Sequence, residues 1–295
     1  MKTNLLALTG LVVSLGMTQI ASATSSFDFD PTGNGIAGTS YNLIDQLPGN
    51  AIGIGAVTAI GTGVGSTFHL AYQANLNTLN GPSTFLNGTG GNYFNFTMEF
   101  EEKVSAITGT TVDFGLVSGG DNFFNMWASG APGNDLTGAG FGSGTSILTA
   151  HVAQTVSSSY TATVFNPATK LDNFGANNWV GTSTVSGSGT TDLVLVIDSA
   201  DPLYFPTLAP LSTLTLSFFN TSQVTPFNQV NPSQNFNWIT AGGHASDVGA
   251  FNGFDGPDFL FQADANQSFQ VPEPTSMLLL GAGIAGLGLT RRRKA

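Results

Sequence analysis

NYFNFTMEFE, residues 92–101, alternates apolar and polar side chains with the two-residue period of a β-strand. The apolar set on one face is Phe94, Phe96, Met98 and Phe100. The set on the other face is Tyr93, Asn95, Thr97, Glu99 and Glu101. The pattern predicts a half-buried strand, with its aromatic face on a core and its polar face in water.

The same alternation extends over much of the chain. It recurs at residues 66–76, with His69 and Gln73 on the outward face. Further strands are predicted at residues 110–117, 146–153, 160–165, 193–197, 211–219 and 258–263. Turn signals separate the strands, including Asn87-Gly88 and the Gly- and Ser-rich run 185–191. Since no apolar 3.6-residue repeat persists, we predict an all-β fold: an antiparallel β-sandwich or jelly roll in one domain, residues 24–270.

The N-terminus has the order of a secretory signal. Lys2 is followed by an apolar run at residues 5–17 and by Ala21-Ser22-Ala23, a small-x-small cleavage pattern. As a helix, such a run reaches about 20 Å, which is short of a hydrocarbon core of about 30 Å. We predict that residues 1–23 are removed by signal peptidase and that the chain is exported.

The C-terminus combines Pro272-Glu273-Pro274, an apolar segment at residues 277–289 and a basic cluster, Arg291, Arg292, Arg293 and Lys294. Proline keeps the motif extended and accessible, and the arginines favour the cytoplasmic side of a membrane. This order resembles the PEP-CTERM sorting signal, whose partner is an exosortase, a membrane-embedded cysteine transpeptidase. The resemblance implies that residues 271–295 enter the inner membrane transiently as a helix and that the enzyme recognises Pro272, Glu273 and Pro274. A permanent tail anchor is the alternative, which four glycines in so short a helix disfavour.

The composition limits the choice of partners. Of the 18 acidic residues, 17 lie between residues 24 and 271, where Lys103 and Lys170 are the only basic residues and the formal charge is −15. This charge repels nucleic acid and anionic lipid, so neither is an expected partner. The chain has no cysteine, which excludes disulfides, thiolate metal sites and cysteine nucleophiles.

Catalytic motifs are missing from the sequence, and we expect the chain not to be an enzyme. There is no phosphate-binding loop, nucleophile elbow or H-E-x-x-H zinc motif, and His69, His151 and His244 are isolated from one another. Glu99 and Glu101 lie about 7 Å apart on one strand face, which is near the spacing of glycosidase carboxyls. A secreted glycan hydrolase is therefore the weaker alternative.

Aspartates at turns are the candidate calcium ligands. Asp28 and Asp30 open a stretch with oxygens at positions one, three and five and glycine at six, as in a calcium loop. Position twelve is Thr39, which cannot supply a bidentate carboxylate. Asp255 and Asp258 form a second candidate pair, and solvated turn aspartates are the alternative for both.

Each tryptophan has an asparagine close by in sequence. The three are Trp127, Trp179 and Trp238. An aromatic face beside an amide suits a sugar ring, because the ring stacks while its hydroxyls form hydrogen bonds. These residues are candidate carbohydrate contacts, and core tryptophans at strand ends are the alternative.

Several phrases are similar to the flocculation-associated PEP-CTERM proteins of exopolysaccharide-producing Gram-negative bacteria. They are FDFDPTGNG from Phe27, LPGNAIGIG from Leu47, FHLAYQANL from Phe68, NDLTGAGFGSGTSIL from Asn134 and FQADANQSFQVPEP from Phe261. The resemblance implies a non-enzymatic protein of the cell surface or extracellular matrix that helps cells and exopolysaccharide form flocs or biofilm. A polysaccharide- or calcium-binding module is the alternative function.

Overall fold

The computed structural model describes residues 26–36, 39–47, 49–79, 86–120, 122–134, 138–170, 183–208, 212–219, 236 and 258–270. These residues belong to one compact unit, Ser25–Pro272, and contain twelve strands and one α-helix. The elements are β1 (Phe27–Phe29), β2 (Thr39–Tyr41), β3 (Leu43–Gln46), β4 (Gly49–Ile54), α1 (Ala56–Thr62), β5 (Thr67–Leu79), β6 (Tyr93–Thr108), β7 (Thr111–Leu116), β8 (Asn122–Ser129), β9 (Thr145–Lys170), β10 (Ser183–Ala200), β11 (Thr213–Phe219) and β12 (Phe259–Gln270). The predicted domain boundaries, after residues 23 and 270, stay predictions.

Ten of these strands form one antiparallel sheet that closes on itself. Starting at β4, the hydrogen-bonded ladder passes through β5, β6, β8, β9, β10, β11 and β12 and returns to β4. At one end β7 lies between β6 and β9, and at the other end β3 lies between β5 and β12. The predicted fold class, all-β with antiparallel pairing, is confirmed.

The core fills the interior of the closed sheet. The four apolar side chains predicted to face inward from β6 are fully buried: Phe94, Phe96, Met98 and Phe100. Across the interior, β10 and β11 contribute Leu193, Leu195, Ile197, Leu214 and Leu216. Full burial of one such side chain contributes about 1.5–3 kcal/mol, so this face of β6 is a main source of stability.

Two expectations about the later strands are wrong. Residues 146–153 and 160–165, predicted as two strands, both belong to one strand, β9. The ladder between β9 and β10 is continuous because register shifts absorb its irregularities. The predicted turn at 185–191 lies inside β10. The reason is visible at Gly187, where a Cβ atom would collide with the Tyr160 ring, so that glycine makes room for the ring instead of a turn.

The polar face of β6 is also buried, which corrects the expectation that it meets water. Asn95, Thr97 and Glu99 have no exposed surface, and Gln73 on β5 is equally buried. Gly133, Gly140 and Gly142, which lie in the chain between β8 and β9, form hydrogen bonds with the amides of Asn75 and Asn95 on this face. Buried polar groups are tolerated where they are hydrogen-bonded, and the amides of Asn75 and Asn95 meet that condition.

Candidate functional site

An apolar cavity of about 240 Å³ lies at the end of the closed sheet that carries β7. Its walls come from β4, β5, β6, β7, β9, β10, β12 and α1. Pairs of aromatic rings meet edge to face in these walls: Phe68 with Phe114, at 5.3 Å between ring centroids, and Tyr160 with Phe259, at 5.1 Å. Such contacts stabilise the walls without filling the space between them.

The helix α1 forms one wall of the cavity. It follows β4 through Gly55, whose φ of 78° lies in the left-handed region that glycine adopts easily. The Gly55 N–H donates a hydrogen bond of 2.7 Å to Asp258 Oδ1, which ties the start of the helix to β12. The helix thereby places Ala56, Val57 and Ile60 against the cavity.

Glu102 is the one charged residue among the described residues that line the cavity. It continues the inward phase of β6, two residues after Phe100 and two before Val104, and pairs with Phe68 on β5 and Leu116 on β7. Only 2% of its surface is exposed. Sequence reasoning missed this residue, although its position two residues beyond the last inward phenylalanine was a readable signal.

Burial raises the pKa of Glu102 to about 7, although a hydrogen bond from Ser158 acts in the opposite direction. Ser158 Oγ also lies 3.0 Å from Thr191 Oγ1, so the hydroxyls of β9 and β10 serve one side of the carboxyl. Oε1 of Glu102 has no hydrogen-bond partner. The cavity therefore contains one buried acid with a free oxygen, poised between its neutral and charged forms at neutral pH.

On the outer face, two asparagine amides hold the chain between β8 and β9. Asn75 exchanges two hydrogen bonds with Gly133: its Nδ2 donates to the Gly133 carbonyl at 2.9 Å, and the Gly133 N–H donates to its Oδ1 at 2.8 Å. Asn95 Nδ2 donates to the Gly140 carbonyl, and the Gly142 N–H donates to Asn95 Oδ1, both at 3.3 Å. These pairs explain why amides stand where the pattern suggested solvent.

Of the candidate carbohydrate contacts, only Trp127 lies among the described residues. It is half-buried on β8, and its Nε1 donates a hydrogen bond of 2.9 Å to Thr97 Oγ1 on β6. The hydrogen bond anchors the indole edge while part of the side chain stays exposed. Trp179 and Trp238 lie outside the described residues.

Asp30 and Asp258, two of the candidate calcium ligands, have roles in folding. Asp30 accepts hydrogen bonds from Thr32 N, Thr32 Oγ1 and Asn34 N. Burial raises its pKa, but these hydrogen bonds outweigh burial and hold the pKa below its ordinary value. Asp28 is half-buried on β1, and Asp255 lies outside the described residues.

The two folding aspartates lie at different levels along the closed sheet. Asp30 directly follows Phe29, whose ring packs 5.1 Å from that of Phe94, whereas Asp258 precedes Phe259 at the register level of Phe100. The six residues between these levels correspond to about 20 Å along a strand. Within the described residues, no group of three or more His, Asp or Glu side chains is placed to hold a metal ion.

Glu99 and Glu101, the carboxyl pair of the hydrolase alternative, occupy different environments. Glu99 is fully buried, with Oε1 at 3.5 Å from His69 Nδ1, while Glu101 is half-buried. His151 Nδ1 lies 2.7 Å from Asp198 Oδ1 on the exposed surface of β9 and β10. His244 lies outside the described residues, and the other two histidines lie on different strands.

The predicted signal peptide, residues 1–23, and the predicted sorting signal, residues 271–295, both lie outside the described residues. This holds for the predicted cleavage residues Ala21 and Ala23, for Pro272, Glu273 and Pro274, and for the basic residues 291–293. Among the residues that the structure describes, no helix is long and apolar enough to span a membrane.

Comparison with known proteins gives one match, at the C-terminus. Residues 270–294 match the family model of the PEP-CTERM protein-sorting motif. No curated protein and no solved structure matches the chain. The predicted sorting signal is confirmed, and it indicates an exported protein that an exosortase processes at the membrane.

Proposed function

We propose that this chain is a non-enzymatic protein of the cell surface or extracellular matrix that promotes floc or biofilm formation together with exopolysaccharide. The observation that carries the proposal is the sorting motif at residues 270–294, which begins at the last residue of β12 in the compact unit Ser25–Pro272, here called the β unit. A signal that delivers a whole folded unit to the exterior fits a protein whose work is contact with other extracellular material.

The geometry around Glu99 supports the non-enzymatic reading. A glycosidase needs two carboxyls that flank a bond of the substrate. Glu99 is fully buried on the outer face of β6 and lies 3.5 Å from His69, so no sugar reaches it unless the residues that cover it move. The hydrolase alternative is the weaker one for this reason.

Deletion of the gene tests the proposal, with floc formation and secreted polysaccharide scored separately. We expect flocs to disappear while polysaccharide secretion continues. Complementation with the intact gene should restore flocs, whereas a gene with alanine at Pro272, Glu273 and Pro274 should not. Unchanged flocculation in the deletion strain would contradict the proposal, and loss of the polysaccharide itself would indicate a role in its synthesis.

For an acidic polymer, we propose a calcium bridge between protein and polysaccharide. Like charges repel across a Debye length of about 8 Å at physiological ionic strength, and the formal charge of residues 24–271 is −15. Divalent calcium can coordinate carboxylates of both partners, and Asp28 is the most available described candidate because Asp30 and Asp258 are engaged in folding. Binding should fall in chelator and return with calcium, while monovalent salt at equal ionic strength should not restore it.

For a neutral polymer, stacking on tryptophan is the second candidate mode of binding. Trp127 is half-buried, and its indole N–H already donates to Thr97, so its ring is held in place for stacking. Trp127→Ala should weaken polysaccharide binding by about 1 kcal/mol, while Trp127→Phe should retain most of it. Equal binding by all three proteins, measured by affinity electrophoresis, would exclude Trp127 from the contact.

A further inference from the structure

We propose that the cavity beside Glu102 binds a small amphiphile: an apolar molecule whose single polar head donates a hydrogen bond to Glu102 Oε1. The head is a hydroxyl or an ammonium group. This inference goes beyond the role in flocs and does not depend on it, because it rests on the interior of the β unit.

The size of the cavity sets the size of the ligand. A dry protein cavity of about 150 Å³ holds benzene, which has six carbon atoms. By proportion, the 240 Å³ of this cavity hold about ten non-hydrogen atoms. A chain of eight carbons with one polar head has this size.

The walls favour an apolar body. Phe68, Phe114, Phe259 and Phe261 contribute rings, and α1 adds Val57 and Ile60. Removal of an alkyl chain from water into such a site is favourable, and the aromatic contacts hold the walls apart before any ligand enters.

Among the described residues, no donor reaches Oε1 of Glu102. Ser158 donates a hydrogen bond to the Glu102 carboxyl, whereas Oε1 has no hydrogen-bond partner. Only 2% of the surface of Glu102 is exposed. A buried acceptor without a partner is costly, so a donor that arrives with a ligand gains the hydrogen bond and relieves that cost. A hydroxyl can donate to either form of the carboxyl, whereas an ammonium pairs with the carboxylate.

Anionic heads are disfavoured. No lysine or arginine lines the cavity among the described residues, and a carboxylate ligand would meet the Glu102 carboxyl in an apolar site. The other titratable groups nearby point elsewhere. Besides Glu102, the one titratable group among the described lining residues is Tyr160, and burial keeps the pKa of Tyr160 above its ordinary value. The alternation of their strands places the following groups on the opposite face: His69, Glu101, Lys103, Asp113, Asp192 and Asp258.

The test uses the exported protein purified from expressing cells and isothermal titration calorimetry with three probes: 1-octanol, octylamine and octanoate. We expect octanol or octylamine to bind with 1:1 stoichiometry and octanoate to bind at least about tenfold more weakly. Failure of both donor probes to bind would overturn the proposal. So would octanoate binding as tightly as they do.

Two variants assign the binding to Glu102 and to the cavity. Glu102→Gln keeps the shape but cannot become an anion, so octylamine binding should fall at least about tenfold and octanol binding should change little. The matched control, Glu101→Gln, alters the neighbouring carboxyl on the opposite face and should change neither. Val57→Phe places a ring in the cavity and should abolish binding of all probes. An equal change in octylamine binding in the two glutamine variants, or full binding of any probe by the Val57 variant, would overturn the assignment.

The pH dependence separates the two heads. Octylamine stays protonated near neutral pH, whereas the Glu102 carboxylate takes up a proton as the pH drops below 7. The affinity for octylamine should therefore fall about tenfold per pH unit below 7, while the affinity for octanol should change little. Octylamine affinity that does not depend on pH would contradict pairing with Glu102. Tight binding of octanol with weak binding of octylamine at high pH would assign the site to hydroxyl-bearing ligands.

Discussion

Replacing Glu102 with glutamine should make the protein more stable at alkaline pH and change how its stability depends on pH. In the folded protein the pKa of Glu102 is about 7, against an ordinary value of 4.5. Because the folded-state pKa is the higher one, the folded state binds the proton more tightly than the unfolded state does. The stabilisation is therefore complete below pH 4.5 and is lost as the pH rises through 7.

The size of the effect follows from the shift. At about 1.36 kcal/mol per pKa unit, the free energy of unfolding should fall by about 3 kcal/mol over the whole range. About 2 kcal/mol of this loss should occur between about pH 5.5 and pH 8.5. Measurement there also avoids the sequence pI of 4.2, where solubility is poor.

Urea unfolding monitored by tryptophan fluorescence measures this free energy at each pH. Other groups titrate in the same range, but their contributions cancel in the difference between the variant and the wild type. Between about pH 5.5 and pH 8.5, the free energy of unfolding of Glu102→Gln should rise by about 2 kcal/mol relative to that of the wild type. The free energy of unfolding of Glu101→Gln, on the opposite face of β6, should not. Parallel pH profiles for wild type and Glu102→Gln would refute the buried-acid interpretation.

Three further outcomes follow from other contacts. Asn75→Ala should lower the free energy of unfolding by about 2–3 kcal/mol, since it removes both buried hydrogen bonds to Gly133. Urea unfolding measures this change, and an effect below about 0.5 kcal/mol would contradict the role of the amide. Asp30→Ala should cost about 1–2 kcal/mol in the same assay at neutral pH, because the charged carboxyl holds the turn, and the wild-type advantage should vanish in acid as the carboxyl is protonated. A chain that ends after Gln270 should melt at the wild-type temperature by circular dichroism, whereas one that ends after Ala263 should not fold, because it loses the ladder between β12 and β11.

The inward face of β6 could be predicted from the sequence because its cause is local. Four apolar residues at a spacing of two can be buried together only on one face of a strand. The same rule extended by one step would have found Glu102. A strand continues its alternation through charged residues as well as apolar ones, and β6 runs on to Thr108.

The burial of the outer face could not be predicted from residues 92–101, because its cause lies elsewhere in the chain. The alternation places Asn75 and Asn95 on the solvated face. In the structure, the backbone at Gly133, Gly140 and Gly142 covers them and forms hydrogen bonds with their amides. A long-range contact of this kind produces no periodic pattern in the sequence of the strand that it covers. Composition misled in the same way at Gly187, which clears space for Tyr160 within β10 and does not turn the chain.

The position of the sorting motif is explained by the register of the last strand. Between Asn266 and Ser268, β12 pairs with β11 on one side and with β3 on the other, and its last residue, Gln270, pairs with Thr213. Pro272 has no N–H and so cannot extend such a ladder. The described ladder ends at Gln270, the first residue of the matched segment 270–294, so we expect a cut at the Pro-Glu-Pro motif to remove no hydrogen bond of that ladder. We therefore expect processing at the motif to leave the paired strands of residues 26–270 intact.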